Sequence, residues 1–375
     1  MLLLKSCWFF ICSIFIKREY DIVFYYPQHF NRGSEDKNIY FTHLIKACNQ
    51  EGMSYSIFEE PDFSSIAKRN KNAIPFDFIF LVIIFFRRMF NSEMDDRVKD
   101  IKIGKFLSKT FFRNITCNNM ITISQSMTSI FRGIDENCLI FDVQHGIIHP
   151  NKPDYLMHSN PEKNIADNNM QLLLCGESYR KLMIENDSTT YFRDSSHVIG
   201  SCISRGSLMH DSFNNNILVS LQFSHDHSDD ENAIFLKSLD EFIRSTTDER
   251  ITFYLRDHPR FNGEVNLKEL FSLDNVKLAP IDISDCFDLC SLHITAYSTL
   301  VFEAALKGIP TILLSPIPKY NYFNSYFSYP LTNMIEDFFS KKFYKESSVK
   351  IQEWASSYYT SFDKETFINL LKCER

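Results

Sequence analysis

LRDHPR at residues 255–260 and AYSTLVFEAALKGIPTILL at residues 296–314 are the two blocks around which the rest of the chain falls into place. The first closes an apolar run, ITFYL at 251–255, with Arg256, Asp257, His258, Pro259 and Arg260 in succession. In an open α/β sheet, ligands bind beyond the carboxyl ends of the strands, so a cationic turn placed there points to a binding site. The second block opens on an apolar run holding His293 and Thr295 and breaks at Tyr297-Ser298-Thr299. It resumes with Leu300, Val301, Ala304 and Ala305 at helical spacing as far as Gly308. That order spells strand, hydroxyl-rich turn and helix. A helix starting at Ser298 or Thr299 presents unpaired amides and the positive end of its dipole, where a phosphate fits. Glu303 follows one turn later, within reach of a sugar's hydroxyls, and Gly308 with Pro310 ends the helix before the next buried strand, TILLS. Ser298 and Thr299 as ordinary helix caps is the competing reading. It is outweighed because the cationic and hydroxyl turns fall at consecutive strand ends of one sheet.

Outward from these blocks, the second half of the chain alternates strands and helices. Strands are predicted at 217–224, 251–255, 276–278, 293–296 and 311–314, and helices at 231–244, 267–273, 284–290 and 299–307. The first half alternates in the same way. Strand candidates lie at 21–26, 54–58, 76–83, 120–123, 138–143 and 170–175, with helices near 40–49, 101–112, 124–132 and 179–185. Alternation of this kind predicts mostly parallel sheets covered by helices on both faces. The polar DSFNNN after HVIGSCISRG reads as a linker. The expected organisation is α/β: two Rossmann-like doubly wound domains facing a cleft, the first over 1–205 and the second over 215–345. Helices of 346–375, with the aromatic KYNYFNSYFSY before them, would pack back across both.

A third constellation lies in the first half, LIFDVQHGIIHPNKPDY at 139–155. An apolar strand again ends in functional side chains, Asp142, Gln144, His145 and His149, gathered around Gly146. The chain has only 10 glycines, so one directly after a strand predicts a turn with positive φ or a close approach to a ligand. An unperturbed imidazole titrates at about 6.5, which suits His145 to general-base work. A histidine merely hydrogen-bonded in the turn is the alternative.

Composition narrows the classes. With 375 residues, 44% of them hydrophobic, the chain can bury two cores. Its net charge of −7 argues against a nucleic-acid groove, although Lys17-Arg18, Arg87-Arg88 and Lys341-Lys342 form local basic pairs. The ten cysteines contain no CxxC pair, and Cys286 with Cys290 reads as buried free thiols of a reduced, cytoplasmic protein. HDHSDDE at 225–231 is expected to be a solvated acidic loop rather than a metal site, and no HExxH, DxD, GxGxxG or Walker loop occurs. No metal or cofactor is therefore expected. The apolar run at 7–16 is about ten residues, short of the roughly 20 that span a bilayer, so a buried or surface-docked first element is expected. FDFIFLVIIFFRRMF at 76–90 reads as a buried core segment whose arginines could face anionic lipid or a phosphorylated acceptor.

The ordered set QHG, LLLCGESY, HVIGS, ILVSLQ, LRDHPR and AYSTLVFEAALKGIPTI, which starts at Gln144, resembles bacterial surface-polysaccharide glycosyltransferases of the GT-B fold, a resemblance that covers roughly residues 21–314 as short motifs. Within them it is similar to the capsule Kdo transferases and bacterial sialyltransferases, which use CMP-activated acids and share an HP motif and a Ser/Thr pair. It resembles more distantly the CDP-glycerol-using teichoic acid polymerases, which carry an HG before the interdomain linker. The resemblance implies a metal-independent enzyme of capsule or lipopolysaccharide synthesis, moving a sugar from a nucleotide-activated donor to a glycan or lipid-linked acceptor. Its place would be the cytoplasm, with peripheral contact at the inner face of the membrane. His258 and Pro259 would contact the donor's phosphate or nucleotide, Arg256 or Arg260 would assist, Ser298 and Thr299 would bind phosphate, and Glu303 would hold the ribose. His145 would be the base toward the acceptor, or failing it Asp142. The D/E-D/E-G triplet that supplies the base in sialyltransferases is absent from the first domain. A UDP-N-acetylglucosamine 2-epimerase-like enzyme is the alternative that shares the phosphate helix.

Overall fold

The computed structural model describes residues 1–32, 37–63, 67–90, 93–203, 205–223, 227–258, 263, 265–331 and 334–372. Two units emerge, one of residues 1–202 with 362–375 and one of residues 203–361. Each is a helix-covered parallel sheet, so the chain has the α/β architecture of two Rossmann-like domains.

The first unit contains α1 (Leu2–Ser13), β1 (Arg18–Pro27), α2 (Thr42–Gln50), β2 (Tyr55–Glu60), β3 (Ile74–Pro75), α3 (Asp77–Met89) and α4 (Asp96–Lys109). It continues through β4 (Ile115–Ile123), α5 (Thr128–Ile134), β5 (Leu139–Val143), β6 (Met170–Leu174), α6 (Glu177–Glu185) and β7 (Ser196–Val198). The sheet order is β7-β6-β5-β4-β1-β2-β3 and every pairing is parallel. Strand β1 is central and covered on both faces, which is why it reads as a nearly unbroken apolar run. Ile22, Phe24 and Tyr26 pack with Phe41 and Leu44 on one face. A ring cluster of Phe10, Phe58, Phe76 and Phe112 fills the space beneath α1 and α3, with Phe10 to Phe58 and to Phe76 each at 5.6 Å.

In the second unit come β8 (Asn216–Ser220), α7 (Asp229–Ser245), β9 (Thr252–Arg256), β10 (Val276–Leu278), α8 (Ile283–Leu289), β11 (Leu292–Thr295), α9 (Leu300–Leu306), β12 (Thr311–Leu313) and α10 (Lys341–Tyr358). Its sheet order is β10-β9-β8-β11-β12, again all parallel. Leu218, Phe287, Ala304, Ile309 and the two buried thiols of Cys286 and Cys290 form its core. Gly308 sits just past α9 at φ 75°, the left-handed cap that glycine adopts without strain. The last helix, α11 (Lys364–Lys372), belongs to the first unit, where Phe367, Ile368 and Leu371 join the β1 core.

Several expectations change here. Residues 76–83 are not a strand but the start of α3, and α3 is not a core segment: Ile79 and Ile83 are buried while Leu81, Phe85 and Met89 are exposed. A continuous apolar run carries no period that separates strand from helix. The described part of HDHSDDE keeps Asp229 and Asp230 on the solvent-exposed surface as expected, but it starts a helix rather than forming a loop. Ser228 and Glu231 form a capping box, and Asp229, Asp230 and Glu231 fill the first turn of the 17-residue α7, where the dipole favours acids. The aromatic segment after Lys319 and helix α10 stay within the second unit. There the Tyr329 hydroxyl accepts from the Thr311 amide at 2.8 Å, and Trp354 stacks on Phe302 at 4.8 Å.

Candidate active site

In the second unit the chain order reverses direction between β8 and β11, the position at which doubly wound sheets open a crevice beyond their carboxyl ends. The two sequence blocks end β9 and β11. They are not consecutive strands; they flank β8, one on each side. A small crevice lined by Ser220, Gln222, Phe235, Thr295, Ala296 and Leu314 opens there. Beneath it the sheet is tied by neutral polar groups. His293, fully buried, bonds Ser220 Oγ through Nε2 at 2.9 Å and Thr311 Oγ1 through Nδ1 at 3.0 Å, while Thr295 Oγ1 donates to the Ser220 carbonyl at 3.0 Å. Burial lowers the His293 imidazole to about 3, so it is uncharged under the crevice at neutral pH.

The hydroxyl turn is partly self-satisfied. Ser298 Oγ accepts from the Leu300 amide at 3.2 Å, and the Ser298 amide donates to Thr295 Oγ1 at 3.3 Å. The free amides expected at this helix start are therefore reduced, and α9 is only seven residues long, with a correspondingly small dipole. Thr299 is exposed, and Glu303 is half-buried on the next turn. Burial raises the Glu303 carboxyl, opposed by the nearby Arg256 and Lys307. Arg256 is already engaged, donating to the carbonyls of Pro280 at 3.0 Å and Ile281 at 2.7 Å. It thus fixes the loop beside the crevice while lending its charge to Glu303. His258 follows at half-burial, whereas Pro259 and Arg260 lie outside the described residues.

An aromatic group adjoining this turn was not anticipated. Tyr297 stacks on Tyr320 with centroids 4.5 Å apart and planes 12° from parallel, and its hydroxyl bonds His227 Nε2. Tyr322 donates to the Tyr297 carbonyl at 2.9 Å, and Lys319 pairs with Glu231. The signal was the tyrosine density of KYNYFNSYFSY, read as closing elements for want of any knowledge of which strand end it would meet.

In the first unit the order reverses between β1 and β4. Glu60, ending β2, accepts from Tyr25 Oη and from Ser126 Oγ, each at 2.7 Å, and so bridges that reversal. Burial raises its carboxyl, opposed by those two donors and by Arg87. His29 Nδ1 lies 2.7 Å from Asp62 Oδ2 just beyond β1. His145, beyond β5, is half-buried, its ring edge-on to Phe30 at 5.3 Å and to Tyr40 at 6.4 Å. Sequence reasoning missed Glu60, Asp62 and His29, although Pro27 and Pro61 mark the two strand ends on which they sit.

Asp142 stands apart from these groups. It is fully buried, accepts from the Gln125 amide at 2.8 Å, and thereby holds a turn in which Ser124, Gln125 and Met127 all have positive φ. Burial pushes its carboxyl up to about 7, opposed by that amide and by Lys152. The same burial lowers Lys152, and it lowers His149 to about 4 with help from the lysine's charge. Gly146 is also not what its position implied. Its φ is not positive, and a Cβ there would meet open space. The turn is fixed instead by Gln144, whose side-chain amide donates to the Gly146 carbonyl and accepts from the Cys175 amide, both at 2.9 Å. Among the described residues no cluster of three His, Cys, Asp or Glu side chains could hold a metal.

No protein-family profile and no curated protein sequence matches the chain. Solved structures do. S. aureus MnaA with UDP aligns at TM-score 0.51 and 14% identity over 94% of this chain and 95% of that one. The Methanocaldococcus jannaschii UDP-GlcNAc 2-epimerase, in complex with UDP-GlcNAc and UDP, gives 0.50 and 11% over 95% and 99%. A histidine-to-asparagine variant of the wall teichoic acid polymerase TagF gives 0.50 and 10% over 99% and 92%. At these identities the likeness is one of fold, the two-domain GT-B type.

Proposed function

We propose that the chain is a glycosyltransferase that takes a nucleotide-activated donor at the carboxyl edge of the second sheet and passes its sugar to a surface-polysaccharide or lipid-linked acceptor held by the first unit. The observation that supports this reading is that His258 follows the carboxyl end of β9, and Ser298-Thr299 with Glu303 follow that of β11, the two strands on either side of β8, next to the reversal of that sheet. Thr299 and His258 would meet the donor's phosphate, with Arg256 supplying charge from behind and Glu303 facing the ribose; Pro259 and Arg260 would complete the turn. Fixed donors placed where negative charge grows on the departing nucleotide stabilise that charge without reorganising. The Tyr297–Tyr320 stack beside the turn offers a flat apolar wall for a base. His145, half-buried on aromatic edges, would take the acceptor hydroxyl's proton; Asp142, sealed in its turn, is the weaker candidate. The CMP-sugar donor follows from the sequence resemblance, with a CDP-glycerol donor as its near variant.

A second reading has its own support. MnaA and the archaeal epimerase carry UDP or UDP-GlcNAc, and Glu60 and Asp62 supply carboxylates at the first sheet's edge, as a 2-epimerase would need. Incubation with CMP-, CDP- and UDP-activated donors separates the two. Nucleotide release that depends on an added glycan acceptor supports transfer. Epimer or free sugar formed without acceptor replaces it with the epimerase reading, and release from none of the donors contradicts both.

A further inference from the structure

Helix α1 is built inside out. Its buried positions include Ser6 and Ser13, both fully buried beside Phe10, while Leu4 (75% exposed), Trp8 (73%) and Ile11 form a stripe on the outer face at helical spacing, continued by Phe15 (81%) in the turn just past the helix end. The inward serines have local partners. Ser6 Oγ accepts from the Phe78 amide at 3.0 Å, and Ser13 Oγ donates to the Phe9 carbonyl at 2.8 Å. A helix facing water would carry these side chains the other way round. The adjoining α3 repeats the pattern, with Leu81, Phe85 (59%) and Met89 exposed four residues apart. Single exposed apolar side chains are ordinary, but two neighbouring stripes of large ones mark a surface that is covered in use.

We propose that this face lies on an anionic lipid bilayer. Charge selects that occupant. The chain carries a net charge of −7, yet residues 1–18 hold Lys5, Lys17 and Arg18 without one acid, and residues 78–90 hold Arg87 and Arg88 without one. Asp77, the acid at the start of α3, is engaged by Arg69 at 2.7 Å. Lys17 and Arg87 pair with Glu19 and Asp100, while Lys5 and Arg88 stand exposed on the two helices themselves. Apolar stripes with a cationic border suit a surface of acyl chains beneath phosphate headgroups. A second copy of the chain suits them less, because a two-fold contact through this face would bring its cations against each other. The helix lies on the bilayer rather than through it: 12 residues extend about 18 Å, against a hydrocarbon core of about 30 Å. Trp8, amphipathic and central in the stripe, would sit at the headgroup level.

The inference does not depend on the donor site, and its test is separate. Wild type and a Trp8→Ser/Phe15→Ser variant are sedimented with vesicles of phosphatidylcholine alone and of phosphatidylcholine mixed with phosphatidylglycerol. The wild type should bind the mixed vesicles, weaken as salt rises, and lose on the order of tenfold or more in partitioning in the variant. In a Trp354→Phe background, Trp8 emission should shift to the blue on binding. An unchanged melting temperature of the variant without any ligand shows that it is folded and keeps the donor reading out of the result. Three outcomes overturn the proposal: protein left in the supernatant, equal binding to neutral vesicles, or vesicle-free self-association that the variant abolishes, which would assign the face to a second copy.

Discussion

At the carboxyl edge of the first sheet stand carboxyls and imidazoles: Asp142 raised to about 7 and Glu60 raised by burial, His149 lowered to about 4, and His145 and His29 set among rings and a carboxylate. At the same edge of the second sheet the groups are hydroxyls, one engaged arginine, stacked phenols and an imidazole that burial keeps uncharged. On the proposed reading, the first edge would move a proton and the second would hold an anion against fixed dipoles. The difference also sets opposite responses to pH. Asp142 titrates at about 3.9 unfolded and about 7 folded, so the folded chain holds the proton more tightly between those values. Its stabilisation is complete below about pH 4 and is lost as pH rises toward 7. His293 is depressed from about 6.5 to about 3, so in that window the unfolded chain binds the proton more tightly and stability is lost as pH falls.

The sharpest way to break the comparison is kinetic. His145→Ala should lower turnover by about 10²–10⁴ while nucleotide binding is unchanged, since a base at the first edge does not touch the donor. Equal turnover would remove His145 from the chemistry and leave Glu60 or the His29–Asp62 pair as the base. Next in size is Asp142→Asn. An amide oxygen can still accept from Gln125, and the variant should gain a few kcal/mol over wild type in urea melts at pH 8, with the gain vanishing near pH 4. A variant less stable at both pH values would mean that the carboxyl is not strained by burial. His293→Asn should flatten the loss of stability between pH 6.5 and pH 4 in the same melts, at an overall cost of about 1–3 kcal/mol for unpaired Ser220 and Thr311 hydroxyls. The smallest effect belongs to Tyr297→Phe, which removes the bond to His227 and should cost about 1 kcal/mol.

The second sheet was legible almost residue by residue, with ITFYL at 251–255 observed as Thr252–Arg256 and the run at 293–296 as Leu292–Thr295. Short apolar strands cut off by charged or hydroxyl residues leave little ambiguity. What could not be read was which strand ends meet. The β9 and β11 turns looked adjacent because they follow one another among the motifs, yet β8 lies between them, and the partner of Tyr297 came from a segment beyond β12. Helix α1 is docked on the surface as expected, but its orientation was not legible. Periodicity assumes that apolar residues face the protein, and here the serines do. Gly146 failed because a side chain, Gln144, does the work that a glycine in that place usually does.

The central claim, an anion-holding edge that takes a nucleotide, is tested most directly by thermal shift of wild type and His258→Ala with CMP, CDP, UMP, UDP and GDP. A nucleotide at a hundredfold excess over its dissociation constant should stabilise the wild type by about 2.7 kcal/mol. The account predicts that CMP or CDP does so and that the response falls away in His258→Ala. No response to any of the five, or an undiminished response in the variant, would contradict it.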